Sequence, residues 1–171
     1  MTSNGELPTV EIYTDGACLG NPGPGGYAAI LKFGGKQKVI TGGYRLTTNN
    51  RMEIMAAIAG LTALKKNCVV NIYSDSRLLV DTMTKGWLQS WIKRGWRKKD
   101  GSPTLNPDLW QKLLTLTEKH QVSFHWIRGH IGDAENELCD KLSKQAAKEQ
   151  NLPVDEVYEK TAENSRIKKK R

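Results

Sequence analysis

The sequence contains little cysteine and no long apolar run. Its three cysteines, Cys18, Cys68 and Cys139, are widely spaced and form no CxxC pair, which disfavours a disulfide framework and a structural zinc site. No apolar stretch approaches the roughly 18 residues of a membrane-spanning helix, and the polar segment from Met1 to Pro8 lacks the apolar core of a secretion signal. We therefore expect a cytoplasmic protein with reduced thiols.

Acidic residues are in the minority because of two short basic segments. The 171 residues include 26 Lys and Arg against 18 Asp and Glu, a net charge of +8. Residues 85–99, called the basic segment below, hold six basic residues and no acidic one, and residues 166–171 hold five and none. The basic segment also contains Trp87, Trp91 and Trp96. Cations beside aromatic rings are typical of nucleic-acid binding, whereas an amphipathic helix with its tryptophans against the core is the alternative interpretation.

The order of the predicted elements indicates an α/β fold. Alternating and β-branched runs predict five strands, and Gly34-Gly35 predicts a hairpin between the second and third. Helical patterns then alternate with the later strands, which predicts parallel crossovers. We expect one domain over residues 8–152, with a five-stranded mixed sheet that is antiparallel in its first half, parallel in its second half and flanked by helices. A disordered basic tail is expected over residues 153–171. The predicted strands are residues 10–14, 27–33, 36–44, 68–74 and 122–128.

Four carboxylates fall near one end of this predicted sheet. Asp15 and Asp75 follow strands, Glu53 lies in the first turn of a helix, and Asp140 lies early in the last core helix. Each also has a structural explanation: a turn for Asp15, a helix cap for Asp75, a capping box for Glu53 and a lysine partner for Asp140. Together they would repel one another unless a cation neutralised them. A site with only oxygen ligands selects Mg²⁺ or Mn²⁺. Because the basic segment also suits a nucleic-acid substrate, we expect phosphodiester hydrolysis with two metal ions.

Five segments of the sequence, spread over about residues 10–149, closely resemble bacterial type I ribonuclease H. They are YTDGACLGNPGPGGYAAIL, TTNNRMEIMAAIAGL, IYSDS, KGWLQSWIKRGW and WIRGHIGDAENELCDKLSKQAA, in the same order. The resemblance implies a ribonuclease H-like fold and endonucleolytic cleavage of the RNA strand of an RNA/DNA hybrid. It further implies 5′-phosphate and 3′-hydroxyl products, no sequence preference, and two Mg²⁺ ions, with Mn²⁺ as a substitute, when substrate is bound. We expect a monomer.

The resemblance also implies roles for individual residues. It makes Asp15, Glu53, Asp75 and Asp140 catalytic metal ligands and places the catalytic His130 on a loop beside them. The residues implied to bind substrate are Cys18, Asn21, Thr48, Asn49, Asn50, Trp87, Trp91, Lys93, Arg94 and Asn106.

Two residues depart from the family pattern. Leu46 stands where the family's phosphate pocket can have an arginine, and Arg77 replaces a glutamine that contacts RNA in relatives. These departures affect the expected hybrid affinity rather than the catalytic assignment.

Two other functions remain open from the sequence. The first is a noncatalytic binding module, which the carboxylates disfavour because they repel phosphate without a metal. The second is a DNA nuclease or strand-transfer enzyme, which the lack of an appended DNA-binding domain disfavours. A magnesium-dependent cleavage assay with EDTA as control distinguishes the enzyme from a noncatalytic module, and a comparison of labelled hybrid, RNA duplex and DNA duplex tests the choice of substrate.

Overall fold

The computed structural model describes residues 6–128 and 133–169. The elements are β1 (Thr9–Cys18), β2 (Gly23–Phe33), β3 (Lys36–Thr47), α1 (Asn49–Thr62), β4 (Val69–Ser74), α2 (Arg77–Thr84), α3 (Trp87–Lys93), α4 (Pro107–Thr117), β5 (Gln121–Trp126), α5 (Ala134–Ala147) and α6 (Glu156–Lys169). The strands form one sheet in the order β3-β2-β1-β4-β5. The pairs β1-β2 and β2-β3 are antiparallel, and the pairs β1-β4 and β4-β5 are parallel, so the predicted mixed sheet is confirmed.

Strand β1 continues beyond its predicted end. The strand was predicted to end at Thr14, with a turn as one explanation of Asp15, but Asp15 and Gly16 pair with Ala28 and Tyr27 of β2. The prediction was wrong because the glycine- and proline-rich stretch after Asp15 indicates a loop, whereas pairing with the neighbouring strand keeps its first residues extended. Asp15 is therefore held within the sheet.

The capping box predicted for α1 is also absent. Thr48 is the N-cap, and its hydroxyl accepts a hydrogen bond from the Arg51 N–H at 3.2 Å. Likewise Ser76, not Asp75, caps α2 through the Leu79 N–H. Neither Glu53 nor Asp75 is used as a helix cap.

Alternate residues of the central strands face two hydrophobic layers. Ile12 and Leu31 belong to the larger core, which also contains Ile54 of α1 and Trp110 of α4. Ala28 and Ile30 face the other side with Cys139 of α5. Since successive strand residues point to opposite faces, α1 and α5 cover opposite sides of the sheet. No described helix has the length and apolar character needed to cross a membrane.

The C-terminal segment differs from the expected disordered tail. It forms helix α6, and Asp155 immediately before α6 is buried, with 6% of its surface exposed. The Asp155 carboxylate accepts hydrogen bonds from Arg51 at 2.8 and 3.0 Å and from Thr47 at 2.8 Å. Arg45 also forms paired hydrogen bonds with Glu159 of α6 at 2.9 and 3.0 Å. The low hydrophobicity of this segment predicted disorder, and the prediction was wrong because these polar partners lie more than a hundred residues earlier in the chain.

Candidate active site

Helix α1 and strand β1 touch at Gly16. A Cβ atom placed on Gly16 would lie 2.4 Å from the carbonyl carbon of Met52 and 2.5 Å from the backbone nitrogen of Glu53. Only glycine permits this approach, since real Cβ atoms do not come so close to backbone atoms. The contact brings Glu53 beside Asp15, the residue that precedes Gly16.

Three of the predicted carboxylates converge at this point. Asp15, Glu53 and Asp75 each offer a carboxylate oxygen, and the three oxygens lie within 4.8 Å of one another. Asp15 is 4% exposed, whereas Glu53 and Asp75 are half-buried. The Glu53 Oε2 atom is buried and has no hydrogen-bond partner among the described residues. This arrangement fits a hard divalent cation, because an unpartnered buried carboxylate oxygen needs a ligand.

Burial and neighbouring negative charge raise the pKa values of Asp15 and Glu53. Burial raises the pKa of Asp15 from 3.8 to about 6, and the charges of Asp75 and Asp140 add to the rise, while hydrogen bonds to Glu53 and the Gly16 N–H oppose it. Burial also raises the pKa of Glu53 well above its usual value, with the charges of Asp15 and Asp75 acting in the same direction. The folded chain thus concentrates negative charge where a cation would relieve it.

Asp140 lies at the edge of this cluster on α5. It is not one of the three carboxylates within 4.8 Å, although its charge contributes to the raised pKa of Asp15. Its Oδ2 accepts a hydrogen bond from Lys144 Nζ at 3.0 Å, so the lysine pair considered from sequence is present. The predicted catalytic residue His130 lies outside the described residues.

Asp75 is framed by side chains from α2 and β5. The Trp126 indole N–H donates to the Asp75 carbonyl at 3.2 Å. The Arg77 guanidinium stacks 3.7 Å from the centre of a Trp126 ring, a cation–π geometry. The arginine that departs from the family pattern therefore extends a positive, aromatic surface beside Asp75.

Three residues predicted to contact substrate form one polar surface next to the carboxylates. The Cys18 N–H donates to Asn49 Oδ1 at 2.8 Å, and the Asn49 N–H donates to Asn21 Oδ1 at 3.2 Å. Burial raises the pKa of Cys18 to about 11, so its thiol is neutral near pH 7. Asn50 is exposed beside them at the start of α1.

Thr48 and Asn106, the predicted phosphate contacts, line one groove with Asn21 and Asn50. Asn106 has φ 62°, and its side chain makes no cap to α4. Its Oδ1 instead accepts a hydrogen bond from Arg51 Nη1 at 3.2 Å. The groove thus joins the start of α1 to the start of α4.

One part of the basic segment packs against the core and another part faces solvent. Trp91 and Trp96 are half-buried and pack against the main core, and the Trp91 ring centre lies 6.1 Å from that of Trp110. Trp87 is 38% exposed, and Lys93 and Arg94 are exposed at the end of α3. The segment therefore anchors itself by two tryptophans and presents its cations to solvent.

Comparison with known proteins identifies the family. The family model described as RNase H matches residues 8–148. The chain belongs to the ribonuclease H family. It is 56% identical over 149 residues to Ribonuclease H of Syntrophus aciditrophicus, covering 87% of this chain and 86% of that protein. It is 55% identical over 150 residues to Ribonuclease H of Rippkaea orientalis, covering 88% and 92%.

Solved structures show the same fold. The crystal structure of LC9-RNase H1, described as a type 1 RNase H with the type 2 active-site motif, superposes with a TM-score of 0.74 at 33% identity, covering 85% of this chain and 74% of that one. As a ribonuclease H, the chain is an endoribonuclease that cleaves the RNA strand of RNA/DNA hybrids.

Arg51 was not among the residues predicted from the sequence, although it links α1 to α4 and to the segment before α6. Arg51 is buried and forms paired hydrogen bonds with both Asp108 and Asp155, at 2.8 to 3.0 Å. Burial opposes the charge of Arg51, but the two carboxylates outweigh it and raise its pKa. An arginine within an otherwise apolar helix pattern was the available signal, because a buried charge requires partners.

Proposed function

We propose that hybrid cleavage by this chain depends on two Mg²⁺ ions, with Mn²⁺ as a substitute, held by Asp15, Glu53, Asp75 and Asp140 when substrate is bound. The observation that carries this proposal is the convergence of three carboxylate oxygens within 4.8 Å. When bound, such ions supply Lewis acidity toward a phosphate oxygen and toward water. The unpartnered Oε2 of Glu53 supports the assignment.

The protein groups position this chemistry. The Gly16 N–H donates to Asp15 Oδ1 at 2.8 Å and holds that carboxylate in the sheet. The Trp126 indole N–H donates to the backbone carbonyl of Asp75 and holds this end of β4. His130 exchanges the proton that accompanies water attack or departure of the 3′ oxygen, because its usual pKa of about 6.5 suits transfer near neutrality. Cleavage on the 3′-oxygen side of the phosphate yields 5′-phosphate and 3′-hydroxyl ends.

The polar residues around the carboxylates bind the hybrid without reading its sequence. Short polar side chains and backbone groups suit contacts to 2′-hydroxyls in a wide, shallow minor groove. The exposed cations of the basic segment suit the phosphates of the paired strand. The proposed contacts are Cys18, Asn21, Asn49 and Asn50 in the minor groove, Thr48 and Asn106 at a phosphate, and Trp87, Trp91, Lys93 and Arg94 along the basic segment.

We propose that the chain acts as a monomer in the cytoplasm. The convergence of Asp15, Glu53 and Asp75 within a single copy of the chain supports a site that is built by one subunit. Sedimentation at assay concentration, with and without hybrid, tests this state.

A substrate panel tests the function. The chain is incubated with four duplexes of one sequence: an RNA/DNA hybrid labelled on the RNA strand, the same hybrid labelled on the DNA strand, an RNA duplex and a DNA duplex. Only the labelled RNA of the hybrid should be cut, with EDTA blocking the reaction and Mg²⁺ restoring it. Cleavage of the DNA duplex at a comparable rate, or cleavage that persists in EDTA, would contradict the proposal.

A further inference from the structure

Helix α6 forms one wall of the groove that contains Thr48 and Asn106, the proposed phosphate contacts. This groove, called the phosphate groove below, has a volume of about 600 Å³, and Val157, Tyr158 and Thr161 of α6 line it. Helix α6 begins after residue 148, where the match to the ribonuclease H family model ends. The phosphate groove therefore has a wall that lies outside the family match.

Ion pairs fix the start of α6 beside this groove. Asp155, just before the helix, pairs with buried Arg51, which also pairs with Asp108 at the start of α4. One turn further on, Glu159 pairs with Arg45 of β3. These contacts hold the first turns of α6 against α1, β3 and α4, so the groove has this wall before any substrate binds.

Exposed apolar side chains line the phosphate groove. Val157 is 48% exposed, and Leu105, in the segment before α4, is 70% exposed. Pro22, Pro103 and Pro107 also line the groove. A deoxyribose can cover such a surface, whereas a ribose would bring its 2′-hydroxyl against apolar atoms without a hydrogen-bond partner. The lining thus suits the DNA strand of a hybrid.

Charged residues are segregated around α6. At 3.6 residues per turn and 1.5 Å per residue, Lys168 lies within about 20° of Val157 around the helix axis and about 17 Å further along it. The three glutamates of the helix, Glu156, Glu159 and Glu163, all lie about 100° or more from Val157. The face of α6 that lines the groove therefore continues, without a carboxylate, to an exposed cation.

We propose that α6 is an additional binding element for the DNA strand, with deoxyribose against Val157 and Leu105 and a phosphate at Lys168. This inference rests on the proposed function, because the strand reaches α6 from the phosphate held by Thr48 and Asn106. A separation of about 17 Å covers several nucleotides of one strand, at about 3.4 Å per nucleotide along the duplex axis. Helix α6 thereby lengthens the part of the DNA strand that the enzyme contacts.

A scan of neutral linkages along the DNA strand tests this proposal. The substrate is a hybrid whose RNA strand keeps its 2′-hydroxyls in a short central run and is 2′-O-methylated on either side, which confines cleavage to one place. A methylphosphonate replaces one DNA phosphate at a time, and single-turnover cleavage in Mg²⁺ is measured below enzyme saturation. For the wild type, replacement should slow cleavage by about threefold or more at two separate positions, since each removes one phosphate contact.

Variants assign the two positions. Lys168→Ala should remove the sensitivity at the outer position and keep it at the inner one, because only the outer phosphate has lost its partner. Asn106→Gly, which allows the positive φ of this residue, should do the reverse. The matched control is Arg166→Ala, which removes a cation two residues away on the opposite face of α6 and should keep both sensitivities.

Several results would overturn the proposal. These are a single sensitive position, an outer position that stays sensitive in Lys168→Ala, and an equal loss of the outer sensitivity in Arg166→Ala, which would show general charge attraction. A Lys168-dependent position found on the RNA strand would place that strand, not the DNA strand, at α6. The same scan read as hybrid binding in EDTA tests α6 without cleavage. A wild type that binds with two sensitive positions but does not cleave in Mg²⁺ would contradict the proposed function and support the role of α6.

Discussion

Replacing Asp15 with asparagine should stabilise the metal-free protein at neutral pH. Burial, together with the charges of Asp75 and Asp140, raises the pKa of Asp15 from 3.8 to about 6. An ionised Asp15 therefore costs the folded state about 3 kcal/mol relative to the unfolded chain. Asparagine removes the charge and keeps a side-chain oxygen that can accept the Gly16 N–H.

The pH dependence of this gain follows from the direction of the shift. Because the folded-state pKa lies above the unfolded value, the stability that protonated Asp15 contributes is complete below about pH 4 and is lost as pH rises through about 6. The variant lacks this titration. Its advantage in free energy of unfolding should be about 1 kcal/mol at pH 4.5 and about 3 kcal/mol at pH 7.5.

Urea unfolding in EDTA at these two pH values measures the gain. Asp100→Asn is the control, because Asp100 is an exposed loop carboxylate whose pKa is lowered by hydrogen bonds from Ser102, and its replacement should give no stabilisation. Added Mg²⁺ should stabilise the wild type more than Asp15→Asn and reduce the difference. An Asp15→Asn protein no more stable than wild type at pH 7.5, or a gain that does not change with pH, would refute the reasoning.

Three further perturbations test other parts of the molecule. Asp155→Asn should lower the free energy of unfolding by about 2–4 kcal/mol because it leaves a buried arginine short of one partner; exposed Glu163→Gln on α6 is the control, and equal unfolding midpoints would contradict the prediction. The double change Lys93→Ala, Arg94→Ala should reduce the salt slope of hybrid binding by about 2, since each lost phosphate contact contributes about 0.9; an unchanged slope would exclude these contacts. His130→Ala should slow turnover by about 10² to 10⁴-fold and remove a titration near neutrality from the pH profile, whereas a wild-type rate and profile would exclude a proton-transfer role.

The sheet could be predicted from sequence because its signals are local. The alternation of Val122, Phe124 and Trp126 indicates a strand within five residues. The two adjacent glycines at positions 34 and 35 indicate a hairpin turn. Both glycines have positive φ, 53° and 79°, as a two-residue hairpin turn requires. The order of strands and helices then restricts the topology to few arrangements.

Features that depend on distant contacts could not be predicted in the same way. The extension of β1 through Asp15 depends on pairing with β2. The spacing of Asn50 and Glu53 predicts a capping box, whereas the observed N-cap of α1 is Thr48. The C-terminal segment is held by the Arg51–Asp155 and Arg45–Glu159 pairs, which join residues 104 and 114 positions apart. Composition carries no signal for such a pair.

The candidate site was predictable in part. Oxygen ligands near one sheet end indicated a metal centre, and the structure brings Asp15, Glu53 and Asp75 together. The close approach of α1 to Gly16 brings these carboxylates together. This tertiary contact cannot be predicted from the spacing of residues along the sequence. Burial of Trp91 and Trp96 likewise depends on the core beneath the basic segment.

Single-turnover cleavage of a labelled RNA/DNA hybrid by Asp75→Asn in Mg²⁺ tests the central claim most directly. Asp75 should contribute charge to the ions rather than packing, so its replacement should nearly abolish cleavage while hybrid binding in EDTA and the folded structure stay close to wild type. Cleavage within about tenfold of wild type, or an equal loss of metal-free hybrid binding, would contradict a metal-ligand role for Asp75.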